Sequence, residues 1–261
     1  MAATDPEARP LFGVDEVGVR FGGLVALDEV SLSVAPGEVH GVIGPNGAGK
    51  TTLFNVCCGF VRPSSGSMSW HGQVVRGLRP HGLAGMGIAR TLQGVGLFRG
   101  LTVLENVMVG ADRHHRAGFF SALLALRRSD SDERALRERS RAVLAELDAE
   151  SFADRFPGSL PYPVQKRVAL ARALVADPEM LLLDEPASGL GADDMAELGT
   201  RIRSLRDRMA VVLVEHHMDL VMSVCDRITV LDFGKVVAAG TPDQVRDDPA
   251  VIDAYLGEEA Q

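Results

Sequence analysis

A glycine-rich segment at 44–51 constrains this sequence more than any other feature. It reads Gly-Pro-Asn-Gly-Ala-Gly-Lys-Thr, which matches the P-loop pattern G-x-x-x-x-G-K-[ST] in full. An aliphatic run, Val39–Ile43, precedes it, and an apolar run, Leu53–Phe60, follows it. Glycines let such a loop aim successive backbone N–H groups at phosphate oxygens, and the start of the next helix adds a positive dipole end. The segment therefore predicts a strand, a phosphate-binding loop and a helix, in that order.

The individual positions of this segment have separate predicted roles. We expect Lys50 to contact the β- and γ-phosphates of a nucleotide, Thr51 to place its hydroxyl where Mg²⁺ binds, and Thr52 to reach another phosphate oxygen. The chain has only three lysines, and one of them falls at the required place, which favours a P-loop over an ordinary glycine-rich turn. The predicted nucleotide-binding residues of the segment are Gly44, Pro45, Asn46, Gly47, Ala48, Gly49, Lys50, Thr51 and Thr52.

Two adjacent acids follow a second aliphatic run. Met180–Leu183 leads directly into Asp184 and Glu185, and the carboxyl ends of parallel strands are where open α/β sheets bind ligands. We expect Asp184 to hold Mg²⁺ through its water shell and Glu185 to orient or deprotonate the water that attacks a γ-phosphate. A strand followed by two acids is often only a solvated turn, so this interpretation depends on the P-loop.

Short aliphatic runs predict the architecture. We expect strands at Leu32–Val34, Val39–Ile43, Leu181–Leu183, Val211–Val214 and Ile228–Leu231. The last four do not alternate with polar residues, which is typical of strands covered on both faces in a largely parallel sheet. Apolar residues near helical spacing predict a helical insertion at Ser121–Leu147, and Ala169–Leu174 is also expected to be helical. Thr241–Gln244 offers an N-cap, a proline at the first helical position and a capping-box glutamine, which together predict a final helix.

Composition limits the classes of function. The chain has 261 residues and a formal net charge of −8, so it has no overall positive field for attracting nucleic acid or acidic lipid. Its three cysteines are an odd number with two neighbours in an apolar run, which argues against disulfides and favours a reducing cytosol. The first ten residues lack the apolar core of an export signal, and the longest uncharged apolar stretches are too short to span a bilayer. If the protein works at a membrane, we expect it to dock there.

The order of the motifs resembles that of ATP-binding-cassette (ABC) ATPases across essentially the whole chain. That order is Phe21, the P-loop, Gln93, a degenerate signature near 160–167, Asp184-Glu185 and His216. Further segments narrow the resemblance to the ATP-binding subunits of branched-chain amino-acid-type importers, a group that includes urea and amide uptake systems. These segments are Phe21–Leu27, Arg90–Gln93, Leu101–Val107, Glu215-His216 and Asp253–Gly257.

This resemblance implies a fold and a division of the chain. The implied fold is α/β: a P-loop NTPase (RecA-like) core with a mainly parallel sheet, an N-terminal antiparallel β part and an inserted α-helical subdomain. The implied boundaries are a flexible tail at 1–11, a nucleotide-binding core at 12–93 and 173–261, and a helical subdomain with the signature region at 94–172. The implied cofactors are ATP and Mg²⁺.

The resemblance also assigns roles outside the P-loop. Phe21 takes the place of the aromatic residue that stacks on adenine, with core packing as the alternative. His216 resembles the switch histidine that contacts the γ-phosphate, whereas His217 stands where the family usually has Asp and receives no role. Gln93 resembles the glutamine that touches Mg²⁺ and the attacking water. The implied catalytic residues are Glu185, His216 and Gln93, and the implied Mg²⁺ ligands are Thr51, Gln93 and Asp184.

One segment departs from the family pattern. Leu160–Gln165 reads Leu-Pro-Tyr-Pro-Val-Gln where the family signature reads Leu-Ser-Gly-Gly-Gln, a helix N-terminus that caps the γ-phosphate of ATP held by the opposite subunit. Pro161 removes the serine hydroxyl, Pro163 removes a glycine N–H, and Val164 removes the glutamine amide. We expect the chain to hold its own ATP well and to offer a weak signature face to its partner. The residues expected to remain near the partner's nucleotide are Leu160 and Tyr162.

The resemblance further implies a peripheral subunit at the cytoplasmic face of the cell membrane. Its expected partners are integral membrane permease subunits, a second ATP-binding cassette of the same or another chain and, indirectly, a periplasmic or lipid-anchored solute-binding protein; nucleic acid is not expected. Leu97 and Phe98, on a glycine-rich stretch after Gln93, are the predicted permease contact. Two alternatives stay open at this point: a soluble cassette ATPase in translation or chromosome maintenance, and a regulatory nucleotide-binding subunit with low turnover.

Overall fold

The computed structural model describes residues 10–91, 94–111 and 127–256. The strands are β1 (Phe12–Phe21), β2 (Leu24–Val34), β3 (Val39–Ile43), β4 (Ser65–Trp70), β5 (Gln73–Val75), β6 (Ile88–Arg90), β7 (Met180–Asp184), β8 (Ala210–Val214), β9 (Arg227–Asp232) and β10 (Lys235–Gly240). The α-helices are α1 (Lys50–Cys57), α2 (Leu83–Met86), α3 (Val103–Val109), α4 (Arg127–Glu146), α5 (Tyr162–Leu174), α6 (Ala192–Leu205), α7 (Met218–Val224), α8 (Pro242–Arg246) and α9 (Pro249–Leu256). Within these ranges, no helix combines the length and the apolar character needed to cross a membrane.

A six-stranded sheet forms the centre of the fold, in the order β10-β9-β3-β8-β7-β6. Every neighbouring pair in it is parallel except β10 and β9. The predicted strand Val39–Ile43 coincides with β3, and the other three unalternating runs lie inside β7, β8 and β9. The prediction of an α/β protein with a largely parallel sheet is confirmed.

Different elements cover the two faces of this sheet, which explains why its strands lack polar alternation. Leu181 and Leu183 of β7 belong to an apolar cluster that includes residues of α3, α5 and α7. Leu182, between them, belongs to a second cluster with residues of β1, β2 and α1. Since side chains alternate between faces along a strand, both faces of β7 must be apolar.

An antiparallel sheet in the order β2-β1-β4-β5 carries the N-terminal part of the chain, as predicted. The predicted strand Leu32–Val34 is only the end of β2, which begins at Leu24. The pairing of β1 with β2 shifts register at three places, and Glu16 and Glu29 have positive φ angles of 48° and 53° in this region. These irregularities interrupt the period-two burial pattern, so the sequence pattern revealed only the end of the strand.

The helical predictions agree with the structure where it describes them. The end of the predicted insertion forms α4, and Val143, Leu144 and Leu147 at its end are buried, whereas 121–126 lies outside the described residues. Helix α5 contains Ala169–Leu174 but begins earlier, at Tyr162. Helix α8 follows its N-cap Thr241 with both reciprocal hydrogen bonds of a capping box, as predicted, but it ends at Arg246 and α9 follows it, so it is not the final helix.

The three cysteines are buried free thiols. Burial raises the pKa of Cys58 to about 11 and that of Cys225 to about 12, so both remain protonated at neutral pH. They therefore pack as small apolar side chains.

Candidate active site

The ends of three neighbouring strands bring the predicted site residues together. Strands β3, β8 and β7 are adjacent and parallel, so their carboxyl ends meet at one edge of the sheet. The P-loop follows β3, Asp184 ends β7, and His216 lies just beyond β8. Three motifs that are far apart in the sequence therefore share one edge, where open α/β sheets bind ligands.

Close backbone packing explains two of the P-loop glycines. Gly44 has a φ of 147°, and a Cβ there would lie 2.0 Å from the carbonyl oxygen of Leu231 in β9. Gly49 has a φ of 103° at the N-cap of α1, and a Cβ there would lie 2.8 Å from the carbonyl oxygen of Ala26 in β2. Neither position has room for a side chain. Contacts with β2 and β9 therefore hold the loop in its shape.

Lys50 begins α1, and its ammonium group lies inside the loop. The Nζ atom donates to the carbonyl oxygens of Gly44 at 2.6 Å and Pro45 at 2.7 Å. One positive charge thus lies at the N-terminus of a helix, where the helix dipole also favours an anion. Of the other predicted contacts in this segment, Ala48 is buried, Thr52 is half-buried, and Asn46 and Thr51 are exposed.

Three carboxylates and one guanidinium interact at this edge. Burial raises the pKa of the Asp184 carboxyl, and the charges of Glu185 and Glu215 raise it further, whereas Arg90 acts in the opposite direction. Arg90 ends β6, and its guanidinium also lies 4.2 Å from the ring centre of Phe60. The excess of negative charge and the oxygen donors suit a divalent cation such as Mg²⁺.

Glu185 has an unusual backbone conformation. Its φ of 45° lies in the left-handed region, which costs free energy for a residue other than glycine. Its N–H donates to the carbonyl oxygen of Val214 at 2.9 Å, and its own carbonyl oxygen accepts from Nζ of Lys166 at 3.4 Å. The turn that begins with Glu185 is therefore attached to both β8 and α5.

Glu215 connects this turn to the one that follows β8. Its side chain is fully buried, and its Oε1 atom accepts the N–H of Ala187 at 2.8 Å. Its Oε2 atom accepts the N–H of His216 at 2.8 Å, the N–H of His217 at 3.0 Å and Nδ1 of His217 at 2.8 Å. Burial raises the pKa of this carboxyl, but the hydrogen bonds from His217, Ala187 and His216 together lower it below its usual range. The charged form of Glu215 is therefore favoured.

His216 and His217 lie side by side at the same edge. Their ring centres are 4.1 Å apart with the planes tilted by 39°. Nδ1 of His216 lies 3.7 Å from Oε2 of Glu215, which is beyond hydrogen-bond distance. The three side chains cluster as metal ligands can, but N–H donors already occupy both oxygens of Glu215. This arrangement argues against a metal ion bound by the cluster.

The structure places the other predicted residues in different environments. Phe21 ends β1, and its side chain is 52% exposed, so core packing does not explain it. Gln93 lies outside the described residues, so its contacts stay predictions. Leu160 is buried in the core, and any contact that it makes with a nucleotide therefore uses its backbone.

The altered signature segment contacts the turn after β7 in the same chain. Oη of Tyr162 lies 3.4 Å from the carbonyl oxygen of Ser188, and the Tyr162 ring packs against Gly189, where a Cβ would be only 3.0 Å from the ring. Val164 is buried in the core, so the valine at this position has a packing role. Pro161 is the N-cap of α5, and Pro163 lies in the first turn of that helix. Pro161 and Tyr162 are thus the exposed residues of the segment, and Pro163 is half-buried.

A groove of about 320 Å³ lies where α2 and β6 meet α3 and α5. The loop that carries Phe98 forms part of its wall, and the Phe98 side chain is 52% exposed. The fully buried Asn106 fixes this loop, because its Oδ1 accepts the N–H of Phe98 at 2.8 Å and its Nδ2 donates to the Phe98 carbonyl at 3.0 Å. Leu97 is half-buried against the core. The apolar lining includes Leu83, Ile88, Phe98, Val109, Ala173 and Pro178.

Sequence reasoning gave no role to three residues that the structure places at the site. Glu215, Lys166 and Arg90 contact or electrostatically influence the turn after β7. A charged residue directly after a fully apolar strand was the available signal for Glu215, and the scarcity of lysine was the signal for Lys166. Arg90 belongs to the segment Arg90–Gln93, which resembles the family, but its position beside Asp184 depends on strand order.

Comparison with known proteins decides the family. Residues 27–188 match the family described as "ABC transporter". The chain belongs to the ABC transporter ATP-binding proteins. Residues 235–261 of this ABC ATPase also match the family described as "Branched-chain amino acid ATP-binding cassette transporter". The resemblance that the motifs indicated is confirmed at the level of the family.

Curated relatives align with the ABC ATPase over nearly their full length. The high-affinity branched-chain amino acid transport ATP-binding protein BraF of Pseudomonas aeruginosa is 43% identical over 256 residues, covering 96% of this chain and 99% of the relative. LivG of Escherichia coli K12, which has the same description, has the same identity and coverage. The lipopolysaccharide export system ATP-binding protein LptB of Haemophilus influenzae is 35% identical over 89% of this chain and 91% of its own.

Solved structures agree with the P-loop NTPase fold. An ATP-binding cassette of an ABC transporter in its ADP conformation superposes with a TM-score of 0.82 at 29% identity, covering 95% of this chain and 99% of that one. A dimeric cassette bound to ADP and Pi superposes with a TM-score of 0.74 at 25% identity, covering 88% of this chain and 98% of that one. The protein is thus an ATP-binding and ATP-hydrolysing transporter subunit.

Proposed function

We propose that this ABC ATPase drives the import of branched-chain amino acids or related amides. The observation that carries the proposal is the match of 235–261 to the branched-chain amino-acid cassette family, at the end of a chain that is 43% identical to BraF and LivG. The lower identity to a lipopolysaccharide export protein favours import over export. The alternative of a regulatory nucleotide-binding subunit with low turnover depends on the altered signature segment. The residues at the carboxyl ends of β3, β8 and β7 do not add to it.

The P-loop is proposed to hold the triphosphate of ATP. Backbone N–H groups of the loop and the N-terminus of α1 are proposed to bind the phosphate oxygens, and Lys50 is proposed to exchange the carbonyl oxygens of Gly44 and Pro45 for the β- and γ-phosphates. Phe21 stacks on adenine at the exposed end of β1. Thr51, Gln93 and Asp184 would hold Mg²⁺, directly or through water, which fits the excess of carboxylates beside a single guanidinium. When bound, Mg²⁺ neutralises charge on the β- and γ-phosphates.

Hydrolysis requires a positioned water molecule opposite the leaving ADP. Glu185 is proposed to orient this water and to accept its proton as the oxygen forms a bond to the γ-phosphorus and the bond to the ADP oxygen breaks. Gln93 is proposed to touch the same water. His216, whose ring is half exposed at this edge, is proposed to contact the γ-phosphate oxygens. The products are ADP and inorganic phosphate.

Transport requires a second cassette and a membrane partner. We infer a head-to-tail dimer in which Tyr162, the Leu160 backbone and the first turn of α5 face the nucleotide of the other subunit. The proposed division leaves 12–93 and 173–261 as the core and 94–172 as the helical subdomain, with 1–11 as a tail. The groove beside Phe98 lies at their junction, and we propose that a permease helix docks there from the membrane, at its cytoplasmic face.

Reconstitution tests this proposal. The chain is co-expressed with the permease subunits that co-purify with it from membranes, and the complex is placed in vesicles with its solute-binding protein. We expect leucine, isoleucine or valine to stimulate both uptake and ATP hydrolysis. Urea and short amides serve as the comparison solutes. Stimulation by none of these solutes, or copurification with soluble proteins only, would overturn the assignment as an importer subunit.

A further inference from the structure

The buried carboxylate of Glu215 bridges two turns that carry different proposed catalytic residues. On one side it accepts the N–H of Ala187, two residues after Glu185. On the other side it accepts the N–H groups of His216 and His217. These three N–H groups converge on a single side chain that no water reaches. A charge held by several hydrogen bonds in a buried position fixes geometry more strongly than an exposed one.

We infer that Glu215 is a positioning residue that sets the distance between Glu185 and His216, and that His217 completes its hydrogen bonding through Nδ1. The inference rests on the proposed roles of Glu185 and His216 in hydrolysis. It gives His217, which stands where the family usually has Asp, a structural reason for being histidine.

Elementary chemistry decides which ring nitrogen of His217 donates the hydrogen bond to Glu215. A carboxylate accepts hydrogen bonds and does not donate them, so Nδ1 of His217 carries the hydrogen at 2.8 Å from Oε2. Nε2 takes no part in this bond. A role in positioning therefore needs only a donor at the place of Nδ1, whereas a role in contacting phosphate needs a group at the place of Nε2.

Matched substitutions at position 217 separate these two roles. The amide nitrogen of asparagine lies near the place of Nδ1, and that of glutamine lies near the place of Nε2. For the full chain in its transporter complex, we expect His217→Asn to keep kcat for ATP within about three-fold, and His217→Ala and His217→Gln to lower it about ten-fold or more. KM for ATP should change by less than about three-fold in all three variants, because the P-loop is untouched.

Substitution of Glu215 tests the bridge itself. A glutamine keeps the size of the side chain, but its NH₂ group then faces either Ala187 or the two histidine N–H groups. We expect Glu215→Gln to lower kcat about ten-fold to a hundred-fold at nearly constant KM. Amide hydrogen exchange should accelerate at 185–188, at 216–217 or at both, while exchange in β3 and α1 stays unchanged.

Specific results would overturn the positioning role of His217 or the bridge formed by Glu215. Activity of His217→Gln with loss of activity in His217→Asn would assign Nε2 to the nucleotide and overturn the positioning role. Wild-type kcat in Glu215→Gln, or a loss of kcat without faster exchange in either turn, would overturn the bridge. If Glu215→Gln does not fold, the His217 series decides alone. A failure of the proposed function is separable, since wild-type hydrolysis by Glu185→Gln would remove the role of Glu185 and leave the exchange result intact.

Discussion

The N–H of Glu185 donates to the carbonyl oxygen of Val214 at 2.9 Å, which extends the pairing of β7 with β8 by one residue beyond Asp184. This bond holds Glu185 in a left-handed conformation with a φ of 45°. The next residues after Val214 are Glu215 and His216, so the proposed general base and the proposed switch histidine are attached to adjacent strand ends.

Glu185→Gln should separate nucleotide binding from chemistry. The amide keeps the size and the backbone bond of Glu185 but cannot accept a proton from water. We expect ATP affinity within about three-fold of wild type and a fall in kcat of about a hundred-fold or more. Equilibrium binding of ATP and steady-state phosphate release measure the two quantities. Hydrolysis at the wild-type rate would show that Glu185 is not the base.

Lys50→Ala should impair ATP binding, the step that precedes hydrolysis. Its ammonium donates to the P-loop carbonyl oxygens of Gly44 and Pro45 at 2.6 and 2.7 Å. Removing this charge should weaken ATP binding by about ten-fold or more, since hydrogen bonds to charged groups contribute roughly 1.5–3 kcal/mol. Lys235→Ala is the matched control, because Lys235 is exposed and paired with Asp28 at 3.2 Å. Equal affinities in the two variants would contradict the role of Lys50.

Asp184→Asn should lower ATP hydrolysis and raise the thermal stability of the folded chain. The raised pKa means that folded Asp184 binds its proton more tightly than the unfolded chain does, so the ionised form at neutral pH is destabilising. We expect the variant to lose Mg²⁺-dependent hydrolysis and to melt a few degrees above wild type at pH 7. The difference in melting temperature should shrink as pH falls toward the usual range of aspartate, where the wild-type carboxyl is protonated in both states. A lower melting temperature at pH 7 would refute the electrostatic argument.

Restoring polar groups to the signature segment should raise hydrolysis by the purified chain. Pro161→Ser with Pro163→Gly returns a hydroxyl and an N–H to the N-terminus of α5, and two such contacts correspond to about a hundred-fold or more in rate. Val164 is left unchanged because its side chain is buried. Pro36→Ser, in an exposed turn, is the control. A fast and cooperative ATPase from the unmodified chain, unaffected by the double change, would show that the segment already caps the nucleotide.

Leu97→Cys should crosslink to a permease loop in membranes. Leu97 lies on the loop that forms the groove wall with Phe98, at the junction that we propose receives a permease helix. The natural cysteines do not interfere because all three are buried. Val74→Cys, on the exposed strand β5, is the control and should give no permease product. Equal crosslinking of the two variants, or products with soluble proteins only, would argue against docking at the groove.

Local patterns in the sequence predicted those features that depend on local physics. The P-loop glycines and the unalternating strands β3, β7, β8 and β9 are fixed by backbone geometry and by burial on both faces. The capping box at Thr241 depends on residues three positions apart. Each of these features can be predicted without knowing which distant parts of the chain are in contact.

Contacts between distant residues were beyond that reasoning. The hydrogen bond from Ala187 to Glu215 joins positions 28 residues apart, and only the order of strands brings them together. The burial of Val164 depends on which side of α5 meets the core, and two prolines at the start of the helix conceal its period. The groove beside Phe98 is formed by four elements that the sequence does not show to be neighbours.

The position of the two prolines has a consequence for how this segment can vary. The first N–H groups of any α-helix lack partners within it, so Pro163 in the first turn of α5 removes nothing that the isolated chain uses to fold. We expect variation there to change melting temperature and expression little and to act mainly through the proposed adjoining subunit. A mutational scan scored by abundance would report Pro161 and Pro163 as tolerant positions, whereas the same library scored by solute uptake would not.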